Sequence, residues 1–285
     1  MTQRVLFIVA VGAAVIMACV RNRASVSSTA DAHRIVSLAP STTESLFAIG
    51  AGDRIVGRSR YCDWPPEVAK LPAVGGLQPD VEAVLELRPD LVVGPNSGAS
   101  SRLTEQLGAR NIATWFPATE SLAGIDAMLL GLGQRSGHVA DASRLVAAID
   151  AREQAIERSV ATLPRPRVLM VVGLAPVVVA GPKSYLDELL RYAGAYNVTS
   201  KGMAWPTLGY EEIFELDPDI VLDASVGPSG TTRVAADVSG WSGLRAVREG
   251  HVIAINDERI LRPGPRIAEG LAVLARLLHP TVSVP

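Results

Sequence analysis

Cysteine and histidine are scarce in this chain, and their scarcity excludes several kinds of site. Only 2 of the 285 residues are cysteine and 4 are histidine. The sequence has no Cys-x-x-Cys pair and no His-Glu-x-x-His segment, the spacings that bind zinc. With Cys19 set aside for an export signal, Cys62 has no partner for an internal disulfide. We predict that Cys62 is a small buried hydrophobe, with a thiol facing a cleft as the alternative.

Motifs of catalysis and of nucleic-acid binding are also missing. There is no Gly-x-Ser-x-Gly elbow, no phosphate-binding Gly-Lys-Ser/Thr loop and no dinucleotide fingerprint after a strand. The formal net charge is −2 and the pI is near 6.1, so no basic surface for nucleic acid is indicated. We predict a binding protein without catalytic activity. An enzyme or cofactor chaperone, and a surface adhesin or sensor, are the competing classes.

Long apolar runs are confined to the N-terminus. After a positively charged start, Val5–Ala18 is apolar and uncharged. As a helix this run would span about 21 Å, less than the roughly 30 Å core of a bilayer, so a signal peptide is favoured. Ile16–Cys19 resembles a bacterial lipobox, which implies lipid attachment at Cys19; an ordinary signal that is removed with Cys19 is the alternative. Residues 1–33 are assigned to signal, lipobox and tether, and the protein is expected to be exported, either periplasmic or a membrane-anchored lipoprotein.

One segment of the chain occurs twice. Asp80–Val93 and Gly209–Leu222 each carry two glutamates four residues apart, then Pro-Asp, then a continuous apolar run, at a constant offset. Each copy predicts a short amphipathic helix, a turn and a buried parallel strand. The copies are separated by about the length of a small domain, so two similar lobes with a cleft between them are predicted.

Short strands alternate with helices in both halves. Strands are predicted at 34–38, 54–56, 90–93, 111–115, 167–172, 177–180, 219–222 and 251–255. Apolar residues at three- and four-residue spacings predict one helix over 138–163, about 38 Å long, which would bridge the lobes rigidly. The predicted fold class is therefore α/β: two Rossmann-like lobes with parallel sheets joined by a single long rigid helix. The lobes are placed at 34–120 and 164–285, with connecting helices at 121–163.

Several segments, taken in order, resemble the substrate-binding proteins of ABC importers for cobalamin, haem and ferric siderophores. They are Ser37–Glu44, Gly50–Gly57, Tyr61–Glu67, Leu71–Gly76, Leu87–Val92, Trp205-Pro206 and Arg262–Arg266. The resemblance covers nearly the whole chain beyond the tether. It implies the class III fold, in which one long helix joins two lobes, and a receptor that delivers a ligand to a membrane permease without a resident cofactor or metal.

The cobalamin-binding branch is the most similar, because it shares the Ser-x-Pro-x-x-Thr-Glu, Tyr-x-Asp-aromatic-Pro-Pro and Trp-Pro segments. Carried over, Ser41 lines the cleft floor, and Tyr61 and Trp205 face a corrinoid from opposite lobes. Arg262 is a further predicted ligand contact. Trp64 is expected in the core, which is also the alternative for Trp205.

Some positions depart from the cobalamin pattern, so two other ligands stay open. At three positions where the resemblance to cobalamin binders implies further aromatics, this chain has Leu77, Pro95 and Val178. Haem would need an axial donor, for which Tyr61 is the candidate. Ferric siderophores would be favoured by basic side chains, and the candidates are Arg58, Arg60, Arg262 and Arg266.

The repeat also suggests a partner. Glu82 and Glu211 occupy equivalent positions near the starts of the two predicted helices, where the helix dipole favours a carboxylate. The resemblance implies that these glutamates, one per lobe, dock into arginine-bearing pockets of an inner-membrane permease dimer. Simple helix-start chemistry is the alternative. The protein itself is expected to be a monomer.

Overall fold

The computed structural model describes residues 31–226, 231–235 and 237–285. The predicted signal peptide and the predicted lipid-attachment residue Cys19 lie outside these residues. Within the described part of the chain, no helix combines the length and the apolar character that crossing a bilayer requires.

The first half of the chain forms a four-stranded sheet in which every pair is parallel, with the order β2-β1-β3-β4. The strands are β1 (Ile35–Ser37), β2 (Ile55–Arg58), β3 (Leu91–Val93) and β4 (Ala113–Trp115). All residues of β1 and β3 are buried, as the apolar runs predict for central strands covered on both faces. The helices of this half are α1 (Pro40–Ala48), α2 (Val81–Glu86) and α3 (Ser100–Gly108), with 3₁₀ turns at Gly52–Arg54 and Pro66–Lys70.

The second half forms a mixed sheet with the order β6-β5-β8-β9, and β7 pairs with the start of β5. The strands are β5 (Arg167–Leu174), β6 (Val177–Val179), β7 (Tyr196–Asn197), β8 (Ile220–Asp223) and β9 (Val252–Ala254). The helices are α6 (Tyr185–Tyr192), α7 (Tyr210–Leu216), α8 (Arg245–Arg248), α9 (Glu258–Leu261) and α10 (Ile267–Leu278), counting after the two connecting helices.

The prediction of an all-parallel second sheet was wrong at one strand. Strand β6 runs antiparallel to β5. Only a two-residue turn, Ala175-Pro176, separates the two strands, and such a short connection cannot return the chain to a parallel start. The other pairs of this sheet are parallel.

Two helices connect the halves, α4 (Leu122–Arg135) and α5 (Val139–Val160). Gly137 separates them with a φ of +74°, a left-handed conformation that glycine adopts without strain. Helix α5 has 22 residues and packs against α4, α6 and α10, so the predicted helix over 138–163 is confirmed with slightly shorter ends. The largest buried apolar cluster runs from β1 through α5 to α10, so the helix shares one core with both sheets.

The repeated segment has the same structural role in both copies. The carboxylate of Asp90 accepts a hydrogen bond from the backbone N–H of Arg34 at 3.1 Å, and Asp219 accepts one from that of Arg167 at 2.9 Å. The guanidinium of each arginine also donates a hydrogen bond of 2.7 Å to a carbonyl at the end of the helix in the repeated segment: Arg34 to Leu87 and Arg167 to Leu216. The hydrogen bond from the Arg167 backbone also lowers the pKa of Asp219. The Pro-Asp element therefore fixes the start of the repeated strand beside its neighbour.

Candidate functional site

A pocket of about 220 Å³ lies at the carboxyl edge of the first sheet. Leu38 follows β1 and Phe116 follows β4, and both side chains reach the pocket. The full lining is Leu38, Ala39, Pro40, Tyr61, Gly76, Leu77, Pro79, Pro95, Ser97, Ala99, Ser100, Leu103 and Phe116. Ligands of open α/β sheets bind outside the carboxyl ends of the strands, so this pocket has the expected location of a binding site.

Every side chain that lines this pocket is uncharged. Tyr61 stands at its mouth with 49% of its surface exposed, and Leu77 is 86% exposed. The Arg60 guanidinium lies 5.9 Å from the centroid of the Tyr61 ring. Leu77 and Pro95, two of the positions that depart from the cobalamin pattern, line the pocket as aliphatic surface. The arrangement suits a large, mostly apolar and uncharged ligand face.

The floor beside the pocket is the turn from β1 into α1, and a hydrogen-bonded hydroxyl network fixes it. The Ser37 hydroxyl lies 2.7 Å from that of Thr42, and the Thr43 hydroxyl lies 2.8 Å from the Ser37 hydroxyl and 3.1 Å from the Cys62 sulfur. Cys62 is 2% exposed, so the predicted burial of its side chain is confirmed, and that burial raises the pKa of its thiol. Ser41 lies at this turn, within α1.

Ser41 is also a point where the two lobes meet. A side-chain carbon placed on Gly264 would lie 3.6 Å from the Ser41 Cα atom. Gly264 belongs to the segment between α9 and α10, so the start of α1 directly faces the second lobe. Ser41 is not among the residues that line the pocket, and its predicted place on the cleft floor and its role in ligand binding stay predictions.

The second lobe contributes Trp205, which is partly buried. Its ring packs edge-on against Tyr185, with 6.0 Å between the centroids and 65° between the planes. The Tyr185 hydroxyl donates a hydrogen bond of 2.8 Å to the carbonyl of Leu261, directly before Arg262. Val178 pairs with Thr207 just beyond Trp205. These contacts hold Trp205 beside the segment that meets the first lobe, while its role toward a ligand stays a prediction.

Arg262 is engaged with protein carboxylates. Its NH1 group donates to Glu44 at 2.8 Å and to Asp63 at 2.6 Å, and NH2 donates to Asp63 at 3.1 Å. Its Nε atom lies 2.5 Å from the Glu258 carboxylate. The hydrogen bonds from Arg262 lower the pKa of Asp63. An anionic ligand group would therefore compete with these carboxylates for Arg262.

Glu44 was not singled out from the sequence, yet its carboxylate is the most buried charge at the lobe contact. Its side chain is 3% exposed. Arg266 donates to it from Nε at 2.8 Å and from NH2 at 2.9 Å. The sequence contained a signal for this ion pair, because a glutamate lies within α1, which is mostly buried, and two arginines are four residues apart in the Arg262–Arg266 segment.

The expectation that Trp64 lies in the core is wrong. Trp64 is 47% exposed, and the Arg266 guanidinium lies 5.1 Å from the centroid of its ring. The indole therefore covers the Arg266 guanidinium instead of entering the core.

Glu82 and Glu211 are both the second residue of their helices, α2 and α7, and both are exposed. Neither forms an ion pair with another residue in the described part of the chain. Pro79, which lines the pocket, immediately precedes Asp80, the cap of α2, so Glu82 lies three residues along the chain from the pocket lining. The described residues hold no group of three or more Asp, Glu, His or Cys side chains arranged to bind a metal ion.

Comparisons with known proteins agree with this architecture. The chain is 30% identical over 258 residues to a cobalamin-binding protein of Halobacterium salinarum. This alignment covers 87% of this chain and 70% of that protein. It is 29% identical over 255 residues to an uncharacterized ABC transporter substrate-binding lipoprotein, YvrC, of Bacillus subtilis, covering 87% of this chain and 80% of the relative. A solved periplasmic heme-binding protein from Pseudomonas aeruginosa superposes with a TM-score of 0.78 at 27% identity, over 89% of this chain and 95% of that one.

A protein-family model matches the chain as well. The sequence model described as periplasmic binding protein matches residues 35–258, which include both sheets, the connecting helices and most of the site described above. The chain belongs to the periplasmic binding protein family.

Proposed function

We propose that this protein is the exported, lipid-anchored substrate-binding component of an ABC importer, and that it captures a corrinoid such as cobalamin. The ligand lies in the cleft between the lobes, with Tyr61 on one wall and Trp205 on the other. No resident cofactor takes part and no chemistry is done on the ligand. The observation that carries the ligand class is the uncharged, apolar lining of the pocket under Tyr61.

The relatives support the same ligand class. The Halobacterium salinarum relative carries the name cobalamin-binding protein, and a corrinoid is a broad macrocycle that apolar and aromatic surfaces hold by contact area. The name lipoprotein of the Bacillus subtilis relative supports lipid attachment at Cys19.

The arginine positions argue against an anionic ferric siderophore. Arg58 donates to the backbone carbonyls of Leu71, Ser59 and Cys62, and Arg262 and Arg266 are paired with carboxylates. Arg60 is the exposed basic side chain left near the pocket mouth.

Haem is the second candidate, and one observation favours it. Tyr61 is exposed at the mouth of an apolar pocket, where a phenolate oxygen could serve as an axial ligand to iron. The heme-binding protein of Pseudomonas aeruginosa shares the fold over most of both chains.

We propose that Glu82 and Glu211 serve the delivery of the ligand to the permease. Glu82 and Glu211 present one exposed carboxylate per lobe, and charge-assisted contacts with arginines on two permease subunits would orient the cleft over the channel.

The test is a titration of the purified protein with cyanocobalamin, hemin and the anionic siderophore complex ferric enterobactin, followed by visible absorption and calorimetry. We expect cyanocobalamin to bind one to one, and more tightly than the other two. Binding of hemin alone, with a charge-transfer band from tyrosine ligation that is lost in Tyr61→Phe, would show that the ligand is haem and not a corrinoid. Binding of ferric enterobactin alone would overturn the interpretation of the pocket as a site for an uncharged ligand face.

A further inference from the structure

The Arg262 guanidinium forms ion pairs with two carboxylates of the first lobe and with one carboxylate of the second lobe, to which Arg262 itself belongs. Glu44 and Asp63 belong to the first lobe, and Glu258 lies one helical turn before Arg262 in the second. Nε, NH1 and NH2 are all engaged. A side chain used in this way has little capacity left to bind a ligand.

The two first-lobe carboxylates differ sharply in exposure. The Glu44 side chain is 3% exposed and Asp63 is 66% exposed. Glu44 also keeps a two-point ion pair with Arg266, so the lobe contact at this level does not depend on Arg262 alone. The Asp63 pair is the outer layer, open to solvent and therefore weakened by salt.

Asp63 lies two residues from Tyr61, in the loop that follows β2. From within the first lobe, Arg58 donates to the carbonyls of Ser59 and Cys62 in this loop. From the second lobe, the two-point ion pair of Arg262 with Asp63 holds it.

We propose that Asp63 is a positioning residue for Tyr61, and that the Asp63–Arg262 ion pair clasps the Tyr61 loop to the opposite lobe. Arg262 then acts on the ligand through this loop and not by contact. Assigning Tyr61 to a ligand rests on the proposed function, but the clasp itself does not.

Charge supports this assignment. Arg262 and Arg266 are surrounded by Glu44, Asp63 and Glu258, so the cluster carries no excess positive charge that would attract an anionic ligand. The pocket beside it has an uncharged lining, and a clasp that neutralises Arg262 keeps the site suited to an uncharged face.

The first test needs no ligand. Hydrogen–deuterium exchange of residues 59–65 is measured in the full-length protein for wild type, Asp63→Asn and Arg262→Gln. Both substitutions should raise exchange of this segment about two- to fivefold, the range for loss of a half-exposed ion pair. Glu44 remains paired with Arg266 in both variants, so the fold should persist.

Two controls sharpen this test. Asp217→Asn weakens an exposed pair with Arg245 far from the cleft and should leave the segment unchanged. Asp63→Glu keeps the charge and should restore slow exchange. Wild-type exchange in Asp63→Asn would overturn the clasp.

The second test separates positioning from direct contact. Cyanocobalamin dissociation is timed for Asp63→Asn, Arg262→Gln and the double variant. If the pair acts as one unit, both single variants release the ligand faster, and the double variant matches them within about twofold. Faster release in Arg262→Gln with wild-type release in Asp63→Asn would place Arg262 on the ligand and overturn the proposal. If wild type fails to bind cyanocobalamin, the proposed function fails, and the exchange experiment alone decides the clasp.

Discussion

Glu44 and Arg266 are 222 positions apart in the chain and form a two-point ion pair across the two lobes, at 2.8 and 2.9 Å. The carboxylate is almost completely buried. A buried charge is stable only where hydrogen bonds from opposite charges replace its water. This contact therefore fixes one relative placement of the lobes beside the pocket.

Loss of the Glu44 charge should destabilise the protein strongly. In Glu44→Gln the shape is kept, but two arginines lose their shared buried partner, at a cost of about 2–3 kcal/mol. Urea unfolding followed by circular dichroism measures the change. Asp217→Asn, which weakens an exposed ion pair, is the control and should leave the midpoint nearly unchanged. Equal midpoints for Glu44→Gln and wild type would show that the pair contributes nothing to stability.

The long helix carries a buried acid that makes stability depend on pH. Glu153 is 6% exposed, and among the described residues its Oε1 atom has no hydrogen-bond partner. Burial, then the charges of Asp126, Asp150 and Glu188, raises its pKa from 4.5 to about 7. Because the folded protein holds this proton more tightly than the unfolded chain does, the stability it confers is complete below pH 4.5 and is lost as the pH rises through 7.

Glu153→Gln should therefore stabilise the protein at about pH 8, by roughly 2–3 kcal/mol, and have little effect at about pH 4. Urea titrations at both pH values measure this. Glu157→Gln, on the same helix but half exposed beside Arg191, should show no such pH-dependent gain. A Glu153→Gln variant no more stable than wild type at the higher pH would contradict the raised pKa.

Trp205 should contribute a large share of ligand affinity. Trp205→Ala removes an aromatic face and should weaken cyanocobalamin binding about 5- to 150-fold, the range for truncating an aromatic anchor. Calorimetry gives the affinity directly. The control is Tyr196→Ala, since Tyr196 is exposed and stacks on Arg165 rather than facing the cleft. Unchanged affinity in Trp205→Ala would show that Trp205 has a purely structural role.

The paired glutamates should matter for uptake and not for capture. The double variant Glu82→Ala, Glu211→Ala should keep ligand affinity and lose most transport of labelled cobalamin into cells, because permease docking loses two charge-assisted contacts. The matched control is Glu86→Ala, Glu215→Ala, which removes the equivalent exposed acids one turn later in each repeat. Normal uptake by the first double variant at wild-type expression would reduce Glu82 and Glu211 to helix-start residues.

Local patterns predicted much of the architecture. The repeat located β3 and β8 with the helices before them, and apolar spacing located α5 within a few residues. Strand β6 was predicted to run parallel to β5, but it runs antiparallel. The direction depends on the short turn between the two strands, and the apolar run that predicted the strand contains no information about that turn.

The site was less predictable than the fold. Trp64 was misplaced because burial of an indole depends on distant residues, here Arg266. A glutamate in α1 and two arginines four residues apart were compatible with an ion pair, but the pairing of Arg262 with Glu44 and Asp63 could not be assigned, since 218 and 199 positions separate these residues. No pairing rule of short range links such residues.

A crystal structure of the protein with cyanocobalamin would show whether a corrinoid binds between Tyr61 and Trp205. We expect one corrinoid between the lobes, with Tyr61 and Trp205 against opposite sides of the ring and Arg262 still paired with Glu44 and Asp63. A ligand bound outside this cleft, or one whose ring contacts neither aromatic side chain, would contradict this expectation.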